Sequence, residues 1–229
     1  MLSRCSAREA AGRGAIVCSH CNGRWGRATM SRPADQVGRT RQRQRQVIEA
    51  AASCFAASGF HGASMAEIAH AAGMSVGHIY HYFDGKDKVI AALVAENVSR
   101  LAALMSSLES SSDPLHELLS AAPQWITECL DVQSARLQLE IAAEASRNPV
   151  IAAVVRDADH LAAMSFGKVL RAGRIKLGLL ENEGLIRGRT LAIFALFEGL
   201  RVRSLHLTAA DLPAVEQSIQ LALKQLLYN

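Results

Sequence analysis

The side chains able to do covalent or metal chemistry are few in this chain, and their spacing argues against most of it. Cys18-Ser19-His20-Cys21 is a C-x-x-C with a histidine inside, the start of a zinc-ligand pattern. A structural zinc site needs four ligands, and no second C-x-x-C or H-x₃₋₅-H follows, so no metal site is expected. Cys5, Cys54 and Cys129 complete an odd, scattered set with no disulfide framework. His116, His160 and His206 fall on separate expected helices without a nucleophile motif, and no glycine-rich phosphate loop follows a strand. Glu140 and Glu144 resemble a carboxylate pair. However, Arg136 lies four residues before the first and Arg147 three after the second, so ordinary surface ion pairs explain them better. Neither a catalytic residue nor a cofactor is expected.

A different kind of chemistry is concentrated between Ser64 and Phe83, in SMAEIAHAAGMSVGHIYHYF. Met65, Ile68, Ala69, Met74, Ile79 and Phe83 are spaced to bury one face of two short helices joined by a glycine-containing turn. The opposite face carries Val76, His78, Tyr80, His81 and Tyr82, and Gly77 leaves the backbone open to close approach. This is the pattern of a helix-turn-helix, whose second helix can lie in a DNA major groove. A plain helical hairpin with surface histidines fits the same residues equally well. The charge distribution points toward phosphate. Residues 1–49 hold ten arginines, Arg41 and Arg43 among them, against Glu9, Asp35 and Glu49, whereas residues 50–229 carry a net −3.

The elements that must position this segment are helical. Of 229 residues, 50% are hydrophobic and 5% aromatic, with five prolines, a mix that favours helices over strands. Ile48, Ala51, Ala52 and Phe55 mark a first helix that stops at Ser58-Gly59. Ser64 opens a capping box with Glu67, Gly73 ends that helix, and Ser75 caps a third running through Ile79 to Phe83. A long amphipathic stretch runs from Lys86 to about Leu108 after Gly85. Asp113-Pro114 and Asn148-Pro149 each pair an N-cap with a proline at the first helical position. Gly184 and Gly188 read as bracketing a loop, and Thr208 to Asp211 precedes the last helix. The count is nine helices in an all-α fold. The longest clear apolar run is Val89 to Ala95, short of a membrane span, and the N-terminus lacks the apolar core of a secretory signal, so a cytoplasmic protein without membrane association is expected. Residues 1–38 read as a basic extension. Met30 is a plausible start of translation, which would make the first 29 residues an over-long start or a disordered extension.

VIEAAASCFAASGFHGASMAEIAHAAGMSVGHIYHYFDGKDKVIAAL, within residues 39–101, resembles the DNA-binding domain of the TetR family of bacterial transcriptional regulators. The combination of Phe55…Gly59-Phe60, Ile68-Ala69…Ala72-Gly73 and Tyr80-His81-Tyr82-Phe83…Lys86 carries the resemblance. It implies that Ser64 caps a helix whose end points toward a phosphate. It further implies that Ser75, Gly77 and His78 begin the recognition helix, that Tyr80 and Tyr82 bind phosphates, and that Lys86 binds the DNA backbone. Val76 stands where the family often has a basic or polar residue, exchanging a phosphate contact for a possible thymine-methyl contact. Gly85 replaces the usual serine cap.

Residues 102–229 resemble the family's regulatory domain in plan. Ile193, Leu196, Phe197, Leu200, Ser204 and Leu207 line one face of helix eight, while Leu191, Phe194, Val202 and Leu205 make another. Leu212, Val215, Ile219, Ala222, Leu223 and Leu226 form the stripe of helix nine. The resemblance implies a homodimer through Leu196, Leu200, Leu207, Val215, Ile219, Leu223 and Leu226. It also implies a small-molecule effector pocket, with Met105, Trp125, Cys129, Met164, Phe166, Phe194 and Phe197 as candidate walls. The expected function is a homodimeric repressor of double-stranded DNA at a palindromic operator, released by a small hydrophobic effector. A regulator controlled by a protein partner, or an activator, is the alternative.

Overall fold

The computed structural model describes residues 33–179 and 182–229. The Cys18–Cys21 pattern, the Met30 start and the extension up to residue 32 lie outside the described residues. Contacts divide the chain at Gly38, and the unit Arg39–Asn229 holds all of the apolar cores. Nine helices are present among the described residues: α1 (Pro33–Gly62), α2 (Met65–Ala71), α3 (Val76–Tyr80), α4 (Lys86–Glu109), α5 (Pro114–Leu130), α6 (Val132–Ala145), α7 (Pro149–Lys176), α8 (Glu183–Ser204) and α9 (Leu212–Tyr228). Residues 33–38, expected to belong to the extension, are the opening turns of α1.

Local sequence chemistry accounts for most boundaries. The Ser64 side chain accepts from the Glu67 N–H, and the Glu67 carboxylate accepts from the Ser64 N–H at 2.7 Å, closing the capping box. Those bonds, the backbone one first, hold the Glu67 carboxyl below its usual range. The support it gives α2 is therefore complete above the ordinary carboxylate range and fades as pH falls through the lowered value. Asp113, Asp131, Asn148 and Asn182 cap α5 to α8 in the same manner. Gly73 takes φ +62° after α2. Two boundaries differ from expectation. The third helix ends at Tyr80, with His81 to Phe83 forming a turn. Gly184 and Gly188 lie inside α8, because Asn182 accepts from the Leu185 N–H and starts the helix ahead of both.

Three apolar cores hold the helices. The first gathers Val47, Phe55, Ile68, Ile79, Phe83 and Val89 from α1 to α4 and extends to Ile141 and Ile151 of α6 and α7. The second gathers Met105, Leu115, Leu118, Phe166, Leu170, Ile193, Leu223 and Leu227 from α4, α5, α7, α8 and α9. A smaller third core joins Ile126, Cys129 and Leu200. α4 contributes to both large cores and packs along α7. It is 24 residues long and an 18-residue stretch of it has mean hydropathy 1.5, so it would also suit a membrane span by length and composition, although its unbroken apolar run is short. The last carbonyls of α9 are received by cations from other helices: Arg174 donates to Leu227 at 2.6 Å and Arg189 to Leu226 at 3.0 Å. Cations at a helix C-terminus also complement its dipole.

The expected dimer stripe also packs within the chain. Leu200 and Leu223 are buried inside the chain, and Leu196, Ile219 and Leu226 pack half-buried on the second core. Leu207 and Val215 pack on the third core. A helix with two apolar faces presents one of them to its own core, and in α8 it is this one. The faces left open carry Leu191, Val202 and Leu205, with Leu221 on α9 at 63% exposure.

α7 and α5 approach through Gly173, where an added Cβ would lie 2.5 Å from Leu115 Cγ in the fully buried second core. Gly173→Ala is expected to lower unfolding free energy by about 1–3 kcal/mol through overpacking, measured by chemical denaturation.

Candidate nucleic-acid interface

α2 and α3 have only seven and five residues, too short to persist without packing. Ile79 is the one buried residue of α3 and fixes its rotation. Val76, Gly77, His78, Tyr80 and His81 consequently face outward, with Val76 41% and Tyr80 49% exposed. Ser75 starts the helix by accepting from the His78 N–H at 3.3 Å. Gly77 has no neighbouring atom within 4 Å of where a Cβ would stand, so the space above it is open. Among these residues only Tyr82 is half-buried, packed on the first core. Its hydroxyl lies 3.1 Å from His78 Nε2, and the two rings sit 5.2 Å apart. This pairing of residues i and i+4 braces the His78 ring while leaving its other edge available. The surface offers donors, acceptors, aromatic faces and one apolar group without an acidic side chain between residues 75 and 83, which suits base edges and phosphates.

The basic residues divide into two groups. Arg41 and Arg43 are exposed on α1, with Arg43 donating to Gln46 at 3.0 Å. Gln46 in turn donates to the Ala72 carbonyl at 2.7 Å, placing this end of α1 beside the turn between α2 and α3. Arg45 is engaged by Glu96 of α4 at 3.2 Å.

Lys86 departs from the expected backbone contact. Its ammonium donates to the carbonyls of Phe60 at 2.6 Å and Ala63 at 2.8 Å, reaches His61 O at 3.5 Å, and lies 4.7 Å over the Phe60 ring. An ammonium has three N–H donors, and these carbonyls occupy them. Lys86 therefore closes the C-terminal end of the turn that leads into α2.

Of the two ion pairs expected on α6, Glu144 makes its pair with Arg147, whereas Glu140 departs from its own. Glu140 accepts from the Phe60 N–H at 3.2 Å rather than pairing with Arg136. Glu144 is only 3% exposed and is held by His61 at 3.0 Å, Arg147 at 3.4 Å and Asn148 at 3.2 Å. No local pattern announces the contacts to Phe60 and His61, since Phe60 and Glu140 are 80 residues apart.

The residues expected to wall an effector pocket are divided between two cores and a cleft. Met105 and Phe166 are buried in the second core, where Trp125, Phe194 and Phe197 pack half-buried. Phe166 and Phe194 meet edge-on at 5.7 Å, and Trp125 and Phe197 at 6.1 Å. Cys129 lies in the third core, where burial above all pushes its thiol up. Met164 alone points outward, 48% exposed, into a cleft of about 670 Å³ between α7 and α8. Large aromatic side chains gain more by contacting each other than by lining a void. The cleft combines Ala163, Met164, Ile186 and Leu191 with Arg156, His160, Lys168 and Arg187. Arg171, also on its wall, pairs with Glu183.

If Lys86 is structural, Lys86→Ala should lower thermal stability in the absence of DNA, because three carbonyls lose their donor. A melting temperature equal to the parent's, measured by circular dichroism, would contradict that assignment.

Residues 47–93 match the model of bacterial regulatory proteins of the tetR family. Over 92 residues the chain is 35% identical to the HTH-type transcriptional repressor Rv1474c of Mycobacterium tuberculosis, covering 39% of this chain and 49% of that protein. The chain thus spans about half the length of that curated relative. Salmonella enterica GusR has a similar fold, with TM-score 0.68 and 24% identity over 86% of this chain and 98% of that one. FadR of Bacillus subtilis, solved in complex with stearoyl-CoA, gives TM-score 0.65 and 21% identity over 80% and 97%. Residues 47–93 thus match the tetR family of bacterial regulatory proteins in sequence, and the helices of the chain share the fold of solved regulators such as GusR.

Proposed function

We propose that this chain is a homodimeric transcriptional repressor that inserts α3 into the major groove of a palindromic operator and is released by a small-molecule effector. The observation that carries the reading is the α3 surface, where one buried isoleucine turns Val76, Gly77, His78, Tyr80 and His81 outward together. Ser75 and His78 begin the reading edge, Tyr80 serves phosphate, and Arg41 and Arg43 supply the sequence-independent attraction. Each neutralised phosphate contributes a salt dependence of about −0.9 in log K against log salt. Sign of control is inferred from relatives named as repressors, Rv1474c among them. Tyr80→Ala is expected to weaken operator and random DNA alike, whereas His78→Ala should cost ~1–3 kcal/mol at one base position. Anisotropy titration checks both, and a folded Tyr80→Ala protein with parental affinity would contradict the interface.

A dimer places two α3 helices on successive major-groove faces, so half-sites should be about 34–36 Å apart or a multiple. The open face of α8 suits the second copy. Leu191, Ala195 and Val202 are exposed there, and the Cβ positions of Gly188 and Gly199 meet nothing within 4 Å. Val202→Glu combined with Leu221→Glu would bury charge in that interface and should give a helical monomer by sedimentation. A double variant that remained dimeric would place the interface elsewhere.

For the effector, the α7–α8 cleft supports a ligand with an apolar body and an anionic end, given its aliphatic floor and cations, Arg156, Lys168, Arg171 and Arg187, that outnumber the acids Asp159 and Glu183. The stearoyl-CoA bound by the structurally similar FadR is of that general character. α7 packs against α4, α6 and α8, so a ligand that prefers one placement of α7 has a route to the DNA-binding helices through α4 and α6.

A further inference from the structure

α1 does not run smoothly into the helix-turn-helix. At Gly59 the backbone takes φ 73° and ψ 166°, leaves the helical path, and then makes one separate turn closed by Ala63 N–H to Gly59 O at 3.0 Å. Both ends of this turn are capped by side chains from other elements. The Glu140 carboxylate of α6 receives the Phe60 N–H at its start, and the Lys86 ammonium of α4 donates to the Phe60 and Ala63 carbonyls at its end. The signs are those a helical turn favours, negative at its N-terminus and positive at its C-terminus. A Cβ on Gly59 would stand 3.2 Å from Glu140 Oε2, so glycine serves both the positive φ and the close carboxylate. One residue further, the His61 ring reaches Glu144, which is buried and also held by Arg147 and Asn148.

We infer that Glu140 and Glu144 are positioning residues that fix the pose of the DNA-reading module on the body of the protein by clamping the Gly59–Ala63 turn. Three features support this. The clamped turn leads directly to Ser64, the cap of α2, so tilting it tilts the helix-turn-helix as a unit. The two carboxylates are one helical turn apart on α6, so any displacement of α6 moves both. A carboxylate as buried as Glu144 costs desolvation and is costly to leave unpaired, which favours one arrangement of its partners over a continuum. The inference rests on the proposed reading of α3 as a DNA-reading helix in a dimer. It deepens that reading by naming the contact that sets the separation of the two reading heads.

The test separates pose from recognition. An operator is first obtained by selection from random DNA with the full-length parent, and derivatives are made with half-sites moved apart by one and two base pairs. The Glu140→Ala/Glu144→Ala protein is expected to prefer the same half-site sequence while its penalty for altered spacing shrinks about tenfold, inside the usual range for couplings between sites. Glu140→Gln, which retains an oxygen for the Phe60 N–H, should keep the parental penalty. His61→Ala removes a mostly exposed ring and only the Glu144 half of the clamp, so it should fall between; it decides the matter if the double variant does not fold. A spacing penalty equal to the parent's in the double variant, or in His61→Ala where that one decides, would overturn the inference. Loss of half-site preference along with the spacing penalty would overturn it too, by showing that the carboxylates hold the module's fold rather than its pose. Failure of the parent to select any palindrome would instead remove the DNA-binding reading on which it rests.

Discussion

The arrangement of the DNA-reading surface depends on the break in α1 at Gly59. A continuous helix would carry Phe60 and His61 along the axis of α1, leaving no turn from which α2 could start in a new direction. The break costs a helical hydrogen-bond register and a positive φ, which glycine adopts without the steric penalty of other residues. The freed groups are not left to water: Glu140 takes the amide and Lys86 the carbonyls. Because α2 and α3 cannot persist alone, the orientation of α3 is inherited from this turn and from the shared core of Phe55, Ile68, Ile79 and Val89.

The division of labour on the interface follows from which groups the fold leaves free. Lys86, though basic and near the site, is committed to backbone carbonyls, and Arg45 makes a surface ion pair with Glu96. Arg41, Arg43, Tyr80, His78 and His81 remain at the surface. Phosphate attraction is long-ranged and carries no sequence information, so in the proposed interface the arginines would govern how strongly any DNA is held. On the same proposal, discrimination would fall to the short row that begins α3, where His78 is braced by Tyr82 and the space above Gly77 is open.

Much of this was legible in the residues, because its determinants are local. Ser64 and Glu67 are three residues apart, as are Ser75 and the amide it caps, so the capping box and the start of α3 could be read directly. The buried face of Met65, Ile68, Ala69 and Ile79 follows from helical spacing alone. The pattern was least informative where two answers share one periodicity. α8 has apolar residues on two sides, and spacing cannot say that Leu200 faces α5 and α9 while Val202 faces outward. Met105, Phe166 and Phe194 are equally suited by spacing to a cavity wall and to a core; all three pack in or on the second core, where Phe166 and Phe194 meet edge-on. Asn182 outranks the glycines after it as a boundary because a cap supplies a missing acceptor, whereas Gly184 and Gly188 merely weaken a helix. The contacts of Glu140 with Phe60 and of Glu144 with His61 could not be read from neighbours in sequence, since both partners lie in α1.

The account makes α3 a reader of the major groove on two symmetric half-sites, and chemical interference on a selected operator tests that most directly. Methylation of guanine N7 marks the major groove, and methylation of adenine N3 marks the minor groove. The account predicts that bound DNA is depleted of N7-methylated guanines in two symmetric clusters separated by one helical turn or a multiple, and that substitution of His78 relieves the depletion at one position in each. Depletion confined to adenine N3, or an unsymmetric single cluster that His78 does not affect, would contradict it.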